Sequence, residues 1–392
     1  MSDSLGRWTC RKLTEGTENG VYHSHSYYDV QNFDETGRFL VVYQMHFQGR
    51  SIRPDDKIII GVIDLEEADQ WIPIGESGAW SWQQGPMLQW SLHQRQIAWN
   101  DRIEGEFVAH LFDFEKRTDK ILPKPIYAVS PKDNEALFLD FDRLQQCRPG
   151  YGYVGGSNRR KSCRLPGDDG VWSMDMRTGD YHLLLSFKEA YQRIKKTTSS
   201  EQYFGHILRQ YDYWFNHIKF NPSGTRFTVK FRYKKKKQVW KEAYSQSLTC
   251  GINGQGCRFL DDKASHVIWK DDETLFYWRA PELRISKDTV SGGRKIGTLN
   301  PQNGQGNIHI LQMPQMEETY IYDTPYREKI SLCLYDQVNQ RDMILHTFNH
   351  HIPSSGPFRC DLHASPSRDG RKIAVTSLED GGRQVYLLER VE

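Results

Sequence analysis

One feature restricts this 392-residue chain more than any other: a unit that returns roughly every 45 to 60 residues, the size range of propeller blades. Each unit opens on a tight turn followed by an apolar strand. The pattern is plainest in FNPSGTRFTVKF (220–231), SPSRDGRKIAVTS (365–377) and FDETGRFLVVY (33–43), where Asp, Asn, Ser and Gly make the turn and alternating β-formers follow. Weaker copies begin at residues 90, 130, 269 and 316. Each is followed by a strand, a polar turn and another strand, as in IIIGVIDLEEADQWIPI and GVWSMDMRTGDYHLLL. The last unit, ending RQVYLLERVE, lacks its closing strand, while WTCRKLTEG at the start has nothing before it to pair with. Residues 8–14 are therefore expected to complete the last blade, which removes an exposed sheet edge. The reading is an all-β chain: one domain, 1–392, folded as a seven-bladed β-propeller of four-stranded blades, the ring closed by the N-terminal strand. Two segments break the rhythm, a Gly- and Arg-rich excursion at 142–169 and a short helix with an aromatic approach to the fourth blade at 187–213.

Composition narrows the function. With 52 basic and 50 acidic residues, the chain has no global positive field, so nucleic acid is not an expected partner. Lys234 to Lys237 fall at a hairpin turn and read as a solvated loop. Seven scattered cysteines without a C-x-x-C pair form neither a disulfide framework nor a zinc finger, which favours a reducing compartment. No run of about 18 apolar residues occurs, and the N-terminus has no apolar signal region, so no membrane span is expected and the location is read as cytoplasmic. Nucleophile elbows, P-loops and dinucleotide fingerprints are absent, and no organic cofactor is expected.

The chemistry-bearing pattern is a phase. Seven residues before the turn Gly or its equivalent, at the start of each innermost strand, stand His217, His266 and His363; the same point in the first blade falls beside Tyr28 and Asp29. His309 lies near it in the sixth unit, with shifted spacing. In a propeller such strands converge on the axis, where an unpaired imidazole carries a desolvation cost. The cluster is either functional or a set of blade-to-blade hydrogen bonds. Neutral imidazoles with a carboxylate such as Asp361 suit Zn2+, Mn2+ or a similar divalent ion, and without metal the same ring suits acid–base work near neutral pH. His23 and His25 form a second group before the first inner strand. Arg148 and Tyr151 in CRPGYGY offer a guanidinium and a phenol for a carboxylate, and Gln83, Gln84 and Asn216 are polar groups for sugar hydroxyls or strand caps.

These residues carry a resemblance. The N/S-P-S/D-G-x-x-F/I-x-V units resemble TolB-like propeller repeats over most of the chain, and the phased histidines resemble the seven-bladed propeller polysaccharide lyases, with oligogalacturonate lyase the nearest comparison. The resemblance implies β-elimination across a 4-linked uronate in an acidic oligosaccharide. It casts His217 as base, Arg148 as carboxylate neutraliser, and Tyr28 or Tyr151 as acid. It makes His266 and His363, with His309 and Asp361, ligands of a divalent ion (Mn2+, Ca2+ or Zn2+). His23, His25, Gln84 and Asn216 are read from their positions as substrate-binding residues. Asp361 stands where the family has the first histidine of H-x-H, and the family's glutamine ligand, near Phe358, has no counterpart. Two other classes stay open: a non-catalytic propeller that binds a glycan or protein on its rim, and a glycoside hydrolase built on carboxylates.

Overall fold

A computed structural model describes residues 5–92, 95–157, 165–304, 308–325, 327–349 and 356–391. The described residues form seven four-stranded sheets in sequence order, the blades of a β-propeller. Strands Tyr22–Ser24 to Gln70–Ser77 make the first blade, Gln89–Trp90 to Thr118–Leu122 the second, and Ala128–Val129 to Tyr181–Ser186 the third. Strands Tyr211–Phe220 to Arg258–Asp261 make the fourth, Ser265–Trp269 to Gly292–Leu299 the fifth, and Ile310–Gln312 to Arg341–Phe348 the sixth. The seventh takes Ser365–Pro366, Lys372–Ser377 and Gln384–Val391, then borrows Arg7–Lys12 from the chain's beginning. That last strand pairs antiparallel along its whole length, from Arg7 opposite Val391 to Lys12 opposite Tyr386. The leftover strands at the two ends of the sequence thus complete one sheet.

The chain divides into two compact units: residues 1–104, 109–121 and 299–392, and residues 105–108 and 122–298. The first carries the first, sixth and seventh blades and most of the second; the second carries the third, fourth and fifth. Core residues come from alternating strand positions. In the first unit Val41, Tyr43, Ile60, Val62, Trp80 and Trp99 form one buried cluster, so the low overall hydrophobic content is concentrated where sheets face each other.

The two irregular segments become helical. The excursion opens with α1, Phe141–Cys147, capped by Asp140, whose carboxylate accepts from the Arg143 amide at 2.9 Å. The second segment holds α2, Phe187–Ile194, and α3, Ser200–Ile207, each started by a capping box, Ser186 with Glu189 and Ser199 with Gln202. One helix was expected there and two are found. Among the described residues no helix is long and apolar enough to cross a membrane.

Candidate functional site

The blades share a hydrogen bond that fixes the phase more firmly than the turn glycine does. At the end of each inner strand a backbone N–H returns to the strand after the turn: Asn221 to Arg226, Lys270 to Thr274, Ser367 to Lys372 and Met313 to Thr319. Four residues before each of these donors stands a histidine: His217, His266, His363 and His309. His309 is therefore in phase, and only its blade's longer turn displaced it in the sequence. Three of the four, His217, His266 and His363, hold left-handed φ values of 54°, 52° and 48°. A non-glycine residue adopts that region rarely, and the register slips beside His217 and His266 mark bulges that re-aim a side chain out of the ladder. Met87, at the same phase in the second blade, has φ 54° too, so the bent backbone belongs to the blade and the histidine to the site.

In the first unit, His309, Asp361 and His363 are buried and offer ligand atoms within 4.8 Å of one another. Asp323 orients His309, accepting its backbone N–H at 2.7 Å and lying 3.0 Å from Nδ1, the outer-shell arrangement that leaves the other ring nitrogen for a metal. His363 Nε2 is buried with no hydrogen-bond partner; Asp361 Oδ2 lies 3.7 Å away. Burial, then His309, His25, Arg359 and Arg383, push the His363 imidazole well below its ordinary pKa, so it is the neutral, ligating form. The Arg359 guanidinium also contacts Asp361 at 2.9 Å. Tyr27 packs on His363 and Tyr28 on His309, with ring centroids 4.6 and 4.7 Å apart. His25 is pushed down to about 4 by burial, and its Nε2 is buried without a partner. Two imidazoles and a carboxylate with an orphaned nitrogen fit a divalent ion.

In the second unit, His217 sits among cations. Its backbone N–H donates to the Tyr127 hydroxyl at 2.8 Å, and the Tyr151 ring meets its imidazole edge-on at 5.7 Å. Burial and then Lys230, Arg232, Lys219 and Arg148 hold its pKa well below the usual value. Arg148 is sandwiched between Tyr151 and Trp240, 4.2 and 4.0 Å from the ring centroids, and its Nε and Nη1 are buried without hydrogen-bond partners. Lys230, opposite Asn216 in the ladder, is buried and donates to the Ala264 carbonyl at 2.6 Å. Both polar atoms of the fully buried Asn216 amide lack partners. Buried donors under a positive field and without acceptors describe an anion site.

The remaining expected residues fall elsewhere. His266 is in the second unit, its Nδ1 3.1 Å from Ser265 Oγ, and is not in the three-residue donor group. Both ring nitrogens of His23 are engaged within the first unit, by Gln384 and Gln44 at 3.0 Å each. Gln84 is buried, and its backbone N–H donates to Ser81 Oγ at 3.3 Å. It is Gln83 that reaches the approach to Asp361, donating to the carbonyls of Pro357 and Arg359 at 3.1 and 2.8 Å. Sequence reasoning missed Lys230, Asp323 and Arg359. Lys230 lies on the polar face of FTVKFRY, which reads as solvent-facing; in a blade both faces of the sheet are covered.

No family profile and no curated protein matches the chain. Solved structures do. An oligogalacturonate lyase in complex with manganese aligns over 99% of this chain and 98% of its own, with a TM-score of 0.62 at 13% identity. Its fold is that of oligogalacturonate lyase. The Vibrio parahaemolyticus oligogalacturonate lyase gives the same score and identity over 100% of this chain and 95% of its own. The β-propeller domain of the Pyrococcus furiosus Trilobed protease, described as having an open velcro topology, aligns over 94% and 95% with a TM-score of 0.52 at 9% identity. The oligogalacturonate lyase fold in this chain differs from that domain in its seventh blade, which the N-terminal strand completes.

Proposed function

We propose that the protein is a lyase that cleaves an acidic, uronate-containing oligosaccharide by β-elimination. The observation that carries this reading is the second-unit cluster: a neutral imidazole, His217, beside a buried guanidinium, Arg148, whose Nε and Nη1 lack hydrogen-bond partners. Elimination needs the uronate carboxylate neutralised so that the C5 proton becomes acidic, and Arg148, with Asn216 nearby, supplies that. His217 takes the C5 proton. The electron pair left behind forms the C4–C5 double bond, the C4–O4 bond breaks, and O4 takes a proton, for which Tyr151 is the donor. The carboxylate also offsets the cations around His217, so substrate binding raises the basicity of the imidazole at the step that uses it.

His309, Asp361 and His363 would hold a divalent ion, and with two nitrogen donors they suit Mn2+ or Zn2+ better than Ca2+, which takes oxygen ligands. When bound, such an ion supplies Lewis-acid neutralisation of a carboxylate. The manganese complex of the lyase with the same fold supports this assignment. Incubation with oligogalacturonates, ulvan fragments and glucuronate-capped glycans, with and without Mn2+, tests the activity: ultraviolet absorbance of the unsaturated uronate rises on at least one. No rise on any, with metal supplied, leaves a propeller that binds its ligand without cleaving it.

A further inference from the structure

The fourth blade carries a pair of thiols that the proposed elimination does not use. Its outer hairpin joins strand Tyr244–Gly251 to strand Arg258–Asp261, and the last ladder pairs before the loop are Leu248 opposite Phe259 and Thr249 opposite Arg258. One step further along that register, Cys250 faces Cys257. Directly opposed residues of an antiparallel pair have Cα atoms about 4.5 to 5.5 Å apart, inside the roughly 4.4–6.8 Å span of a disulfide. The loop between the two cysteines holds this register. Gly251 N–H donates to the Gln255 carbonyl and Gly254 N–H to the Gly251 carbonyl, both at 2.9 Å, while Gly254 and Gly256 take left-handed φ values of 74° and 58°. Ile252 N–H ties the loop back to the Thr225 carbonyl at 3.2 Å.

The two sulfurs are also in contact. The Cys250 thiol donates to the Gln255 carbonyl at 3.7 Å, which leaves its sulfur to accept a hydrogen bond from Cys257. That bond pulls the Cys250 pKa down against the effect of burial, with Arg226 and Arg193 adding to the pull; the same bond, with burial, pushes Cys257 up. Elsewhere burial prevails, lifting Cys10 and Cys333 to about 12 and Cys360 to about 11. The thiolate is the reactive form of cysteine, so the hairpin pair differs from those buried thiols in chemistry as well as in spacing. Gln255 and Gly256, which precede Cys257 at the hairpin tip, are exposed, and a small oxidant approaches the pair from that side.

We propose that Cys250 and Cys257 form a reversible disulfide, an oxidation site separate from the lyase chemistry, with a peroxide as the oxidant. The Cys250 sulfur attacks hydrogen peroxide: the O–O bond breaks, an S–O bond forms and one water leaves. Cys257 then attacks the sulfenic sulfur, so that the S–S bond forms, the S–O bond breaks and a second water leaves. The sulfurs lose two electrons and the peroxide gains them; two equivalents of reduced glutathione reverse the step by thiol–disulfide exchange. Trypsin leaves both cysteines in one peptide, 242–258, so a single mass reads the result. The full chain is treated with hydrogen peroxide, quenched, unfolded, labelled with iodoacetamide and digested. The peptide should appear two hydrogens lighter and unlabelled, and a portion returned to reduced glutathione before quenching should carry two labels. In Cys257→Ser the lighter form should be absent. Two labels surviving peroxide, sulfonic acid on either cysteine in place of the link, or a link that reduced glutathione does not open would each overturn the proposal.

Discussion

In the first unit His309 and His363 stand beside carboxylates, Asp323 and Asp361, whereas in the second His217 stands among Arg148, Lys219, Lys230 and Arg232. All three histidines occupy one phase of one repeat. The inner strand therefore supplies only an imidazole near a bend; the strands and loops around it decide whether that imidazole faces carboxylates or cations. Burial makes both His363 and His217 neutral. Their neighbours then divide them: carboxylates beside His309 and His363, cations around His217.

The comparison breaks most sharply at His217. His217→Ala should lower turnover about 100- to 10,000-fold with little change in KM, and the loss should persist at saturating Mn2+; kcat within a few-fold of the parent would end its role as base. In the first unit, His363→Ala should abolish the bound divalent ion measured by elemental analysis, and Asp323→Asn should weaken its affinity about 10- to 100-fold. If metal content survived both changes, the carboxylate-flanked cluster would be structural. Arg148→Lys keeps the charge but loses the planar fork stacked between Tyr151 and Trp240, so KM for an acidic oligosaccharide should rise about tenfold.

Lys230→Met probes the cationic field itself. Burial and the neighbouring cations pull the Lys230 pKa itself well below its usual value, so whatever charge it keeps should, once removed, move the His217 pKa upward and shift the acidic limb of the pH–rate profile to higher pH; an unmoved limb would show that Lys230 contributes no charge at His217. The smallest effect is expected at His110 in the first unit, which lies 2.6 Å from Asp119 and 3.4 Å from Asp101. It pits burial against these two carboxylates, and the carboxylates win, raising its pKa to about 9. Because the folded value exceeds the unfolded one, this histidine stabilises the fold fully below pH ~6.5 and the gain is lost as pH rises through about 9. Allowing for solvent screening, about 1 kcal/mol should separate the parent from His110→Gln in urea melts at pH 6, and nearly nothing at pH 10.

Much of this was legible in the sequence because its determinants are local. Turn residues and alternation fixed the order of the blades, and the unmatched strands at the two ends announced the closure of the seventh. The helical character of 187–213 was legible too, though the segment read as one helix and holds two. What was hidden depends on chain segments far apart. His309 looked out of phase because its turn is longer, Asp323 becomes its partner only through strand pairing, and Lys230 is buried only because a blade covers both faces of its sheet. The division into two units left no mark in composition or linkers.

The claim beneath all of this is elimination rather than hydrolysis, and mass spectrometry of the fragments from a uronate oligosaccharide cleaved in 18O-labelled water tests it directly. The account predicts a fragment lighter by one water than a hydrolysis product, with no label at the cleaved bond, and its disappearance in His217→Ala. Label incorporated at the new reducing end, or an intact oligosaccharide with Mn2+ present, would contradict it.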